Sequence, residues 1–86
     1  MAKNKLLVIN PDSTHEIDPT WDAAKAALGG AMIEVVHLSG GAVLLVDEEG
    51  LLKGLTLNPV ASAWALHEIV GTAVCVPPEL VTAVLD

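Results

Sequence analysis

The run Ala42 to Val46, AVLLV, contains no polar residue. A strand with one wet face alternates apolar and polar side chains, so an unbroken apolar run reads as a strand covered on both faces or nearly so. This segment is the candidate for the centre of a sheet. With 86 residues the chain is one small domain, 1–86, because chains of this size bury only about 60 to 65 per cent of their unfolded surface and do not support two cores.

The surroundings of that run supply short elements in a regular order. KLLVIN is an apolar run ended by the turn residues of Asn10-Pro11-Asp12-Ser13, and STHEID can return as the second arm of a hairpin. Asp18-Pro19 predicts a helix over about Pro19 to Leu28, with the Asp18 carboxylate as cap and proline in the first position. Trp21, Ala24 and Leu28 share a stripe, so the helix is expected to pack by its tryptophan and stop at Gly29-Gly30. MIEVVHL and AVLLV then form two arms of a hairpin, joined tightly through Ser39-Gly40-Gly41. Asn58-Pro59 opens a second helix, PVASAWALHE, with Val60 and Trp64 one turn apart, and Gly71 closes the loop after it. TAVCV is a last strand that Pro77-Pro78 ends, and PELVTAVLD can make a short C-terminal helix.

The expected fold is therefore α+β, β-β-α-β-β-α-β with a short C-terminal helix. Its sheet is mixed or antiparallel, of about five short strands with two helices. The order is similar to a β-grasp arrangement, a likeness of element order that carries no function.

Composition narrows the function classes. The apolar share is 52% and the charged share 17%, against usual values of about 45 to 50 and about 25 per cent. Disorder is not expected, and some of the apolar surplus should reach the surface, where a contiguous patch marks a partner or a second copy. Eleven acids against four lysines, with no arginine, give a net charge of −7. That balance disfavours direct nucleic-acid binding, and the spread of the acids along the chain reads as a soluble surface rather than an imitation of DNA.

Cys75 is the single cysteine, so no intramolecular disulfide forms, nothing points to an oxidising compartment, and a buried thiol acting as a small hydrophobe is expected. The apolar run after the first lysines is too short for a secretory leader. The longest stretch without formal charge, 54–66, is too short for a membrane span.

Asp47, Glu48 and Glu49, followed by Gly50, are the one cluster that could hold a hard cation or supply an acid and a base. Neighbouring residues on a strand point to opposite sides, so the triplet does not converge, and a solvated turn is the expected reading. Its carboxylate should accept from local amides, and its glycine should take a conformation other residues resist. His15, His37 and His67 lack zinc spacing, and Cys75 has no nucleophile signature around it. No glycine cluster matches a phosphate loop, and Trp21 and Trp64 are expected in the core. No metal or cofactor is expected.

GGAMIEVVHL, VLLVDEEGLLKGLTLN and VGTAVCV together resemble the domain-of-unknown-function 3846 family of small bacteriophage and mobile-element proteins. The likeness covers most of the chain. A hydrophobic strand, an acid-acid-glycine turn, a leucine, lysine-glycine-leucine and an asparagine opening an alanine-containing helix match Asp47 to Ala61. Where members often carry prolines before the asparagine, this chain has Thr56 and Leu57, a difference that bears on the turn. The family carries no established activity, so the resemblance implies provenance: a phage protein expressed in a bacterial cytoplasm. Asp47, Glu48, Glu49, Gly50, Lys53 and Asn58 are its motif residues and the candidates for partner binding.

Two functions follow as expectations. The leading one is a non-enzymatic phage accessory protein that binds a host bacterial protein, in host takeover, growth inhibition or anti-defence. The alternative is a dimeric binder that sequesters a nucleotide-derived signal, for which the chain offers few charged donors. A hydrolase using Cys75 or the Asp47 cluster ranks below both.

Overall fold

A computed structural model describes residues 4–86 of the chain. Residues 1–3, the head of the stretch read against a secretory leader, lie outside it. The elements run β1 (Leu6–Asn10), β2 (Ser13–Ile17), α1 (Trp21–Ala27), β3 (Ile33–His37), β4 (Val43–Asp47), α2 (Pro59–Ala65), β5 (Ala73–Val76) and α3 (Val81–Leu85). A single 3-10 turn, Pro78–Leu80, leads into α3. This is the expected α+β order with its C-terminal helix.

The strands form one five-stranded sheet in the order β2-β1-β5-β4-β3. Every neighbouring pair is antiparallel, β1 with β5 included, and this takes the likeness to a β-grasp arrangement no further than element order. The middle strand is β5, not β4. β4 lies one place off centre, paired with β3 and β5, and is covered on both faces as its apolar run requires. The correction has a topological cause: the last strand inserts between the two hairpins, and a local hydrophobic run does not disclose which strand a distant segment will join.

Alternation along the strands divides the core in two. Leu6 and Val8 of β1, Val43 and Leu45 of β4, and Val74 and Val76 of β5 face one side, where Ala24 and Leu28 from the first helical segment and Val84 of α3 meet them. Ile9, Leu44, Val46 and Ala73 face the other, under Ala61 of α2 and Ile69. Helix α1 leaves one edge strand, β2, and delivers the chain to the opposite edge strand, β3, so it has to cross a face of the sheet. Burying side chains such as Leu6, Leu44 and Leu45 completely contributes about 1.5–3 kcal/mol each relative to leaving them in water. Among the described residues no helix is long and apolar enough to cross a membrane.

Several local expectations change. Thr20, not Asp18, caps α1: its backbone is extended and its hydroxyl accepts from Ala23 N at 3.0 Å. The Asp18 carboxylate instead receives the Lys5 ammonium at 2.9 Å, across the base of the first hairpin. Trp21 is 39% exposed and Trp64 44%. Neither anchors the core, because both helices lie on the sheet through alanines, Ala24 and Ala61, and a bulky ring cannot occupy so close a contact. The β3–β4 connection is the tight hairpin the sequence predicts, with Gly40 and Gly41 at positive φ and Leu38 N donating to Ala42 O at 2.9 Å. Cys75 is half-buried, and desolvation pushes its thiol above the usual range, away from the reactive thiolate.

Candidate functional site

The motif residues occupy the connection from β4 to α2 on the Ala61 side of the sheet. Asp47, the last residue of β4, organises it. One carboxylate oxygen accepts from Glu49 N at 2.8 Å and the other receives the Lys53 ammonium at 2.8 Å. Both contacts favour the charged form, and the Lys53 ammonium first, then the Glu49 amide, hold the Asp47 carboxyl below the usual carboxylate range. Backbone bonds from Gly50 N to Asp47 O, Lys53 N to Glu49 O and Leu55 N to Gly50 O wind the segment into successive turns. The carboxylate at the turn accepts from a local amide, as the sequence predicts.

Gly50 is required for a different reason from the expected one. Its φ is not positive; the left-handed glycine of this segment is Gly54. A Cβ at Gly50 would instead lie 2.8 Å from Val70 Cγ2, so the site needs a residue without a side chain where the turn presses on the strand-like segment before β5. Glu48 and Glu49 stand exposed, and their side chains have no hydrogen-bond or ion-pair partner among the described residues.

Asn58 is completely buried. Its Nδ2 donates to Ile9 O and to Gly71 O, both at 2.8 Å, and its Oδ1 accepts from Ala61 N at 3.2 Å as the cap of α2. Its backbone N–H donates to Ile69 O at 2.8 Å. One side chain therefore joins β1, the start of α2 and the loop before β5. Both donors are committed to protein carbonyls, which leaves none for a ligand. Ser62, one turn further on, accepts from Ile69 N at 2.7 Å and donates to Ile69 O at 3.1 Å. Thr72 and Asn10 meet at 2.8 Å beside it. The only sequence signal for Ser62 is its spacing of four from the capping Asn58; its partner lies in a loop that local pattern does not place.

The motif thus separates into scaffold and display. Asp47, Gly50, Lys53 and Asn58 build and fix the connection, while Leu51, Leu52, Leu55 and Leu57 within it, Val60 and Trp64 of α2, and Leu66 are left exposed. Leu52 is 87% and Leu66 88% exposed. The residues from 51 to 66 include no acid and a single cation, Lys53, in a chain of net charge −7. Beside the turn a small solvent-open cleft is lined by Glu34, Asp47, Glu48, His67 and Glu68 with neighbouring apolar residues. Among the described residues no three His, Cys, Asp or Glu side chains are grouped to hold a metal.

A family model described as "Domain of unknown function (DUF3846)" matches residues 4–80, a span that contains the whole sheet, α1, α2 and every motif residue. No curated protein and no solved structure matches the chain.

Proposed function

The chain belongs to the DUF3846 family, and we propose that it is a small bacteriophage accessory protein that acts without catalysis, by binding a host protein in the bacterial cytoplasm. The phage provenance and the cytoplasmic setting rest on the sequence resemblance. The binding reading rests on one observation, the exposed apolar ledge of residues 51–66 held between the Asp47–Lys53 ion pair and the buried Asn58.

Large apolar side chains left in water on a fixed connection favour removal from it by a partner. Trp64, half-exposed at one turn from Val60, has the size and low conformational cost typical of interface anchors. The absence of acids along the ledge means that an apolar partner surface meets little charge to desolvate, while the acids elsewhere keep the rest of the surface wet. A groove that accepts an amphipathic face, or an apolar patch on a host enzyme, fits this chemistry.

The test is expression of a tagged copy in its bacterial host followed by native mass spectrometry of the purified complex. A host protein retained at near-equal stoichiometry, and lost from a Leu52→Ser/Trp64→Ser variant that keeps the wild-type circular dichroism, supports the proposal. A chain that carries no host protein, or carries it equally well in the variant, counts against it.

A further inference from the structure

The two edges of the sheet differ in a way that identifies a second surface, separate from the ledge. β2 exposes Ser13, Thr14, His15 and Glu16, a polar strand of the kind that discourages further pairing. β3, at the other edge, carries Ile33, Val35 and Val36, all half-buried, with Met32 63% exposed just before it.

The phase of the β3–β4 ladder tells which backbone groups of β3 are free. Glu48 N donates to Met32 O at 2.8 Å and Leu38 N donates to Ala42 O at 2.9 Å, one bond at each end of the ladder. An antiparallel ladder alternates bonded and non-bonded pairs. With Glu34 opposite Val46 and Val36 opposite Leu44, those are the bonded pairs. Ile33, Val35 and His37 therefore turn both N–H and C=O away from β4, and no backbone or side-chain group among the described residues meets them. These outward groups are evenly spaced and symmetric about Val35.

We infer that the β3 edge is a homodimer interface, in which β3 of a second copy of this chain adds antiparallel about a two-fold axis through Val35. In that register Ile33 pairs with His37 of the second copy, Val35 with its own counterpart, and His37 with Ile33. Every outward N–H finds an outward C=O, giving about six new backbone hydrogen bonds. Side chains agree with the same register. Met32 falls opposite Leu38 of the second copy and Glu34 opposite Val36, so the exposed methionine gains an apolar neighbour and no acid sits directly opposite an acid. A shift of the register by one residue would oppose outward groups to groups already bonded to β4. A shift by two would leave one outward residue on each copy unpaired. A second copy supplies both what the β3 edge lacks, outward backbone partners in register and an apolar neighbour for Met32, whereas the polar β2 edge offers only the first. Each copy carries a net charge of −7, so salt, which screens their repulsion, strengthens the dimer.

The test uses the unmodified chain. Amide hydrogen exchange is followed at protein concentrations from about 1 μM to about 1 mM, alongside mass by sedimentation equilibrium. The expected result is dimer mass at the high end, more dimer in added salt, and exchange at Ile33, Val35 and His37 slowed at least about tenfold on going from dilute to concentrated protein. Glu34 and Val36 stay protected throughout. A Val35→Pro variant, which removes an N–H that β4 does not use, should be monomeric with β4 and β5 amides still protected. Rapid exchange at Ile33, Val35 and His37 in concentrated protein overturns the inference, as does a dimer whose protection falls on Thr14 and Glu16 instead. The wild-type exchange pattern decides the matter even if the proline variant fails to fold.

Discussion

At Asn58 a single carboxamide connects three parts of the chain, and its substitution separates capping from the rest. Loss of a helix cap alone costs about 0.5–2 kcal/mol. Asn58→Ala also leaves Ile9 O and Gly71 O without their buried donor, so a loss of about 2–4 kcal/mol is expected in urea unfolding. Asn58→Asp keeps the shape and the cap acceptor but turns oxygen toward those carbonyls. The introduced carboxylate, buried and facing acceptors, has its folded pKa raised, so this variant should gain stability as pH falls below neutrality, opposite in sign to the wild type. Stability of Asn58→Asp that is independent of pH between 7 and 5 would contradict the assigned contacts.

The wild-type sign follows from Asp47 and Asp18, whose carboxyls are held low by Lys53 with the Glu49 amide and by Lys5. A group with a depressed folded pKa stabilises the fold above its ordinary value and loses that contribution as pH falls through the folded one. Thermal midpoints should therefore fall in acid, below the ordinary carboxylate range, and fall less steeply in Asp47→Asn. The cap role of Asn58 was legible in the asparagine-proline pair. Its bonds to Ile9 and Gly71 were not, because those partners lie 49 and 13 residues away and only the closed sheet brings them together. Gly50 shows the same division: the turn was legible, while the steric need came from Val70, across the connection.

At the scale of the element, strands were read well and helix faces poorly. Apolar runs placed β1, β3, β4 and β5, since a two-residue period assigns each side chain to a face without knowledge of neighbours, while the polar β2 was placed only by the turn residues before it. On α1 the stripe Trp21, Ala24 and Leu28 is real, but the helix touches the sheet at Ala24 and Leu28, and the ring at its first residue lies beyond the contact. Periodicity gives a direction and not the distance of closest approach, which the small residues set. Both tryptophans should accordingly be open to acrylamide in the native state, and their emission should shift only modestly on unfolding. Strongly shielded, blue-shifted emission would contradict the packing. Enlarging the contact tests the same geometry: Ala61→Leu, fully buried against the sheet, should destabilise by about 1–3 kcal/mol through overpacking, whereas the exposed Ala63→Leu should be near neutral.

Across the whole molecule, an antiparallel sheet is covered by α1 and α3 on one face and by α2 on the other, within extents of 31 × 25 × 22 Å. This architecture explains why an acidic chain carries so many apolar residues: every central strand needs two dry faces. Apart from Trp21 on α1, the large exposed apolar side chains of the described residues fall on the ledge of residues 51–66 and at Met32 beside the β3 edge, two surfaces with different chemistry. A bare charge count does not reveal this partition, because it depends on which residues the turns and the alanine-lined helix contact leave outside.

The central claim, that the ledge and not the acid triplet engages a partner, is tested most directly by quantifying the copurified host protein for three variants of the tagged chain. These are Leu52→Ser/Trp64→Ser on the ledge, Glu48→Gln/Glu49→Gln on the exposed acids, and Thr14→Ala/Glu16→Gln on the β2 edge, each confirmed to unfold like the wild type. The account predicts that partner yield falls at least about tenfold, a change of about 1.4 kcal/mol, for the ledge variant alone. Retention by the ledge variant together with loss in the Glu48/Glu49 variant would contradict it and return the binding role to the acids.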